Sequence, residues 1–114
     1  MNYTVTLFLF LAPILNVLCK RLLDFKIYTG VGNVLISMNP YCTIPDLYSN
    51  PMSFIPDESH DVVSTPHVYA IANQALQESI HSNMNQSIII SGESGAGNLN
   101  TIHLILVSID SCRS

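Results

Sequence analysis

The stretch Ser87-Ile88-Ile89-Ile90-Ser91-Gly92-Glu93-Ser94-Gly95-Ala96-Gly97 constrains the chain more than any other. A β-branched run reads as a strand and empties straight into a glycine-rich loop. Gly92 and Gly97 stand five apart, the glycine spacing of the phosphate-binding pattern G-x-x-x-x-G-K-[ST]. Glycines let successive backbone N–H groups turn inward as a nest for phosphate oxygens, and a helix that follows aims its positive end at the same point. The pattern then asks for lysine and a hydroxyl residue, to neutralise phosphate charge and hold magnesium. This chain has Asn98 and Leu99 there. The backbone half of the cradle is written, and the charged half is absent.

The charge distribution sharpens that point. The basic residues are Lys20, Arg21, Lys26 and Arg113, so none lies between Lys26 and Arg113. Phosphate held by this loop must rely on backbone dipoles, magnesium or groups supplied from elsewhere. A net charge of −4 also argues against nucleic acid, whose phosphates need a basic face. Charged residues make up 11% of the 114 positions and hydrophobic ones 48%, against about 25% charged in ordinary soluble domains. So little charge cannot cover the proportionally large surface of one small domain. The composition suits the inner part of a larger body, or a membrane-associated chain.

Cys19, Cys42 and Cys112 are odd in number and form no C-x-x-C spacing; they read as ordinary reduced thiols, with no zinc site. The run Val5 to Ala12 is apolar, but it lacks a basic segment before it, is short for a membrane span and meets Pro13. A non-enzymatic secreted or membrane-anchored protein using residues 1–19 is the alternative reading; a buried helix is the preferred one. Ile14, Leu15, Leu18, Leu22 and Phe25 recur at helical spacing, an amphipathic helix with one apolar face. Turn residues Thr29-Gly30 and Gly32-Asn33 follow, then Val34 to Met38 as a buried strand that Asn39-Pro40 ends. Asp57, His60 and Asp61 lie in a proline-punctuated polar stretch that reads as a solvated loop rather than a metal site. Thr65 and Pro66 then suit the cap and first position of a helix. Its apolar stripe is Val68, Ile71, Ala72, Ala75, Leu76, Ser79 and Ile80, with Tyr69 facing elsewhere and Ser82 to Asn85 ending it. His67 and His81 are helix-end residues with no nucleophile paired to them. After the glycine loop, Ile102, Leu104 to Val107 and Ile109 predict a helix buried on most sides.

Longer words surround the loop. Asn85 to Gly97 resembles the N-Q-S-I-[IL]-I-S-G-E-S-G-A-G signature of the myosin motor domain. Thr65 to Ala72 is similar to the P-P-H-[IV]-[FY]-A-I-A helix that precedes it there. Ile27 to Gly30, Val34 to Ser37 and Asn39-Pro40-Tyr41 resemble the strand and purine-binding N-P-[YF] turn of the same family. Order and spacing agree over 13–109, leaving an apolar segment 1–12 and a tail 110–114 outside.

The resemblance implies an α/β fold, an incomplete P-loop NTPase-type motor core: part of the central sheet with flanking helices, the Thr65 helix packed on the strands and the loop at a strand end. It implies ATP with Mg²⁺ as ligands, actin as the partner of the whole motor, and a cytoplasmic, cytoskeletal setting. Gly92, Glu93, Ser94, Gly95, Ala96 and Gly97 would wrap the phosphates, with Asn98 and Leu99 at the two positions that follow. Asn39, Pro40, Tyr41 and Tyr48 would line the adenine side, although Tyr48 comes nine residues after the asparagine where the family has eight. No residue is implied as catalytic and none as a metal ligand. The family's Lys-Thr-Glu stands here as Asn98-Leu99 before Asn100-Thr101, the kind of change an altered exon junction leaves. The family's later switches, actin-binding cleft and lever arm have no counterpart in these residues, so the expected product is an inactive motor fragment.

Overall fold

A computed structural model describes residues 3–54 and 65–113. The element order is α1 (Tyr3–Leu23), β1 (Tyr28–Val31), β2 (Val34–Ser37), a 3-10 turn (Pro51–Phe54), α2 (Val68–Ser82) and α3 (Asn98–Arg113). This is an α/β arrangement with one antiparallel two-stranded sheet among the described residues. Asp57, His60 and Asp61 lie outside the described residues.

Helix α1 runs through Pro13 rather than stopping at it; proline removes one hydrogen bond from a helix, which the remaining bonds of this 21-residue helix outlast. Only Leu18 of the expected apolar face is buried, and Ile14 and Leu15 remain exposed. Phe25 lies beyond the helix end with φ 57°, and the Lys26 N–H donates back to the Arg21 carbonyl at 2.9 Å. That left-handed step closes the helix C-terminus, so Phe25 points to solvent instead of joining the face. Arg21 then ties helix to sheet: Nε donates to Thr29 Oγ1 at 2.9 Å and Nη2 to the Tyr28 carbonyl at 2.8 Å. No helix among the described residues is long and apolar enough to cross a membrane.

Thr29-Gly30 belongs to β1, not to a turn; the turn is Gly32-Asn33, closed by the Val31–Val34 pair. Gly32 has φ +57°, as the first central position of a tight hairpin requires. Strand β2 is therefore one arm of an isolated hairpin. Its residues are exposed or half-buried, against the expectation of a buried strand, because no third strand among the described residues covers it. Residues 87–90 were expected to pair as a strand and do not. Their side chains still alternate as in one: Ile88 and Ile90 pack against the core while Ile89 is 91% exposed. The conformation follows from local β preference, whereas a ladder needs a neighbour.

Helix α2 is capped by His67, not Thr65: His67 Nδ1 accepts from the Tyr69 N–H at 2.9 Å. The buried face is Val68, Tyr69, Ala72 and Asn73, rotated from the expected stripe, and Ile80 is exposed. The reason is the company it keeps. Helix α2 packs against α3 and the 3-10 turn rather than on a broad sheet. Asn83, with φ 52°, ends the helix as the polar break at 82–85 predicts. Helix α3 buries only Leu104, Ile105 and Ser108, one face rather than most sides. The core is thus Ile27 and Tyr28 from the sheet end, Val68, Tyr69 and Ala72 from α2, and Leu104 and Ile105 from α3.

Candidate functional site

The glycine loop lies between the unpaired run 87–90 and the start of α3. Gly95 and Gly97 have φ +85° and +92°, with open space where a Cβ would stand; side chains there meet backbone strain rather than a neighbour. Gly92 differs. A Cβ on it would sit 2.8 Å from Asn98 Oδ1 and 3.0 Å from Ala96 Cβ, so a side chain there would push the Asn98 amide aside. Inside the loop the Ala96 N–H donates to the Glu93 carbonyl at 3.0 Å. At its far end the Thr101 N–H and Oγ1 both donate to the Gly97 carbonyl at 3.0 Å. That is the first backbone bond of α3, so the N–H groups of Asn98, Leu99 and Asn100 stand ahead of the helix ladder at its positive end.

Residues 91–97 are all exposed, and two asparagine amides brace them. Asn98 Nδ2 donates to the Gly92 carbonyl at 3.1 Å. Asn39 Nδ2 donates to the Gly95 carbonyl at 3.2 Å, while its Oδ1 accepts from the Tyr41 N–H at 2.9 Å. One side chain therefore holds the Asn39-Pro40-Tyr41 turn and reaches a loop 56 positions away. Tyr41, with φ 53°, stands 88% exposed, and Pro40 is half-buried. Glu93 and Ser94 face solvent with the rest of the loop. Leu99 is 83% exposed and offers no oxygen to a cation, so residue 99 does not fit a magnesium ligand.

Tyr48 packs into an aromatic group. Its hydroxyl shares a 2.7 Å hydrogen bond with that of Tyr28, and its carbonyl accepts from Tyr69 Oη at 3.3 Å. At the centre of that group is His67. Its ring stacks on Phe54 at 4.3 Å and lies 4.9 Å from Tyr28, 4.7 Å from Tyr69 and 5.5 Å from Tyr48. With Nδ1 accepting from Tyr69, Nε2 is the donor to the Leu47 carbonyl at 2.9 Å. Burial lowers the pKa of His67, partly opposed by that carbonyl; the neutral tautomer is also the only one able to cap. Burial, with Tyr48 close by, pushes the phenols of Tyr28 and Tyr69 above their ordinary range. Tyr28, His67 and Tyr69 are thus held neutral and hydrogen-bonded, which stabilises the fold.

Composition and spacing do not announce the bracing role of Asn98 or the cap at His67. An Asn-Pro-Tyr word does signal the turn, since asparagine holds its own backbone two residues on. Among the described residues no His, Cys, Asp or Glu group could hold a metal ion.

The myosin head (motor domain) family matches residues 4–112. Myosin-M heavy chain of Dictyostelium discoideum is 47% identical over 96 residues, which is 83% of this chain and 6% of that protein. Unconventional myosin-VI of Homo sapiens is 39% identical over 95 residues, 83% of this chain and 7% of that one. Myosin-1 of Arabidopsis thaliana is 46% identical over 80 residues, 70% of this chain and 7% of that protein. The chain belongs to the myosin motor domain family, and it spans a small fraction of the length of these curated relatives.

Proposed function

We propose that these residues are the nucleotide-binding entry of a P-loop motor core, that they hold the phosphates of a purine nucleotide through backbone donors alone, and that they do not hydrolyse it. The observation that carries this is the Asn39–Gly95 hydrogen bond. It joins the purine-turn word to the phosphate-loop word in space, beside the open N–H groups that begin α3. In the whole motor the ligand is ATP with Mg²⁺ and the partner is actin, in a cytoskeletal setting; both follow from the family alone.

Binding here is weak for a stated reason. Each charge-assisted hydrogen bond contributes about 1.5–3 kcal/mol, so a missing lysine lowers affinity by about ten- to a hundredfold. The test is titration calorimetry of the full chain with ATP, with and without Mg²⁺, beside Asn98→Lys. The expected result is weak, magnesium-insensitive uptake that tightens about ten- to a hundredfold in the variant. Tight, magnesium-dependent uptake by the unaltered chain would overturn the reading.

A further inference from the structure

We propose that the Asn98 side chain is a latch: a neutral amide that holds the phosphate loop closed in the ligand-free chain, a positioning role in place of a charge. The loop has almost nothing else to keep its shape. Residues 91–97 are all exposed, so apolar packing contributes little there. The bonds that act on it are the internal Ala96-to-Glu93 turn, the Asn39 tether at Gly95, the two Thr101 donors to the Gly97 carbonyl and the Asn98 bridge to Gly92. Of these only the Asn98 bridge spans the loop, joining its first glycine to the residue just past its last.

The contact is close as well as correctly paired. Asn98 Oδ1 lies 2.8 Å from where a Gly92 Cβ would be, so the amide rests against Gly92 and a Cβ there would displace it. Holding the Gly92 carbonyl also orients the planar peptide it belongs to, which points the Glu93 N–H the opposite way. Asparagine near a helix start ordinarily accepts from a backbone N–H through its oxygen. Here the nitrogen donates backwards to Gly92 instead, which is loop closure rather than capping.

The inference concerns the free loop, so it stands apart from nucleotide binding. Amide exchange and carbonyl chemical shifts are measured by NMR on the full chain and on Asn98→Ala, Asn98→Asp and Asn98→Gln. The aspartate variant separates the two roles. A carboxylate at the start of α3 favours the helix through its dipole, yet it cannot donate to Gly92. The expected result is a shifted Gly92 carbonyl, with exchange at Ala96 faster by about three- to tenfold in Asn98→Ala and Asn98→Asp. Asn98→Gln recovers part of the effect, and Leu104 and Ile105 stay unchanged in all forms. Exchange at Ala96 within twofold of the original in Asn98→Ala overturns the proposal. So does slower exchange in Asn98→Asp, or an equal rise across α2 and α3. An ATP titration on the same samples keeps the two ideas apart: no uptake by any form, with the exchange pattern as expected, refutes the nucleotide reading and leaves the latch standing.

Discussion

The start of α2 and the loop before α3 solve opposite problems. Around His67, four aromatic neighbours, a backbone N–H and a carbonyl saturate one ring that is almost wholly buried. Around Gly92 to Gly97 nothing is buried, two glycines hold positive φ, and two amides brace the carbonyls. The first region has spent its polar groups on itself and can only stabilise. The second buries nothing and has little stability of its own, the usual condition of an exposed loop carried on a firmer frame.

The sharpest way to break this division is at Tyr69. Its side chain is 1% exposed and bonds the Tyr48 carbonyl. Tyr69→Ala is expected to cost about 3–5 kcal/mol in urea unfolding, enough to erase a cooperative transition in so small a core. His67→Ala comes next. It removes the α2 cap, an aromatic stack and the donor to Leu47, together about 2–4 kcal/mol.

The same histidine sets a pH dependence. Its folded pKa lies below the ordinary 6.5, so the unfolded chain takes up the proton first as pH falls. Stability is therefore full above about pH 6.5 and declines as pH drops toward the lower folded value. Thermal melts between about pH 7.5 and 5 check this, and His67→Gln should flatten the slope.

Smaller effects belong to the loop. Gly95→Ala and Gly97→Ala meet open space at positive φ, so each should cost about 1–2 kcal/mol of local backbone strain. That appears as faster exchange in residues 92–101, with little change in the global melt. A global loss larger than the His67 effect would show that the loop is part of the frame after all. The smallest expected change is Ser108→Ala. Ser108 Oγ donates at 3.4 Å to Asn73 Oδ1, which also accepts from Cys112 Sγ at 2.7 Å. Because the cysteine remains as partner, the loss should not exceed about 1 kcal/mol, read from the urea midpoint.

Local sequence words alone specify much of this protein. The Val34–Ser37 run becomes a strand, Gly32-Asn33 turns, Asn83 stops α2, and the glycine word becomes the loop opening α3. The family membership is legible in the same words. These features depend on residues within a few positions of one another, where backbone preference decides. What only the tertiary structure decided depends on neighbours distant in the chain. The run at 87–90 lacks a ladder because no strand among the described residues comes beside it, and α2 turns Tyr69 inward because α3 and Phe54 lie there. The Asn39 side chain meets Gly95 only after the chain has folded over 56 positions. Periodicity shows that a helix has an apolar face, but burial is a relation between two surfaces, and one sequence segment contains only one of them.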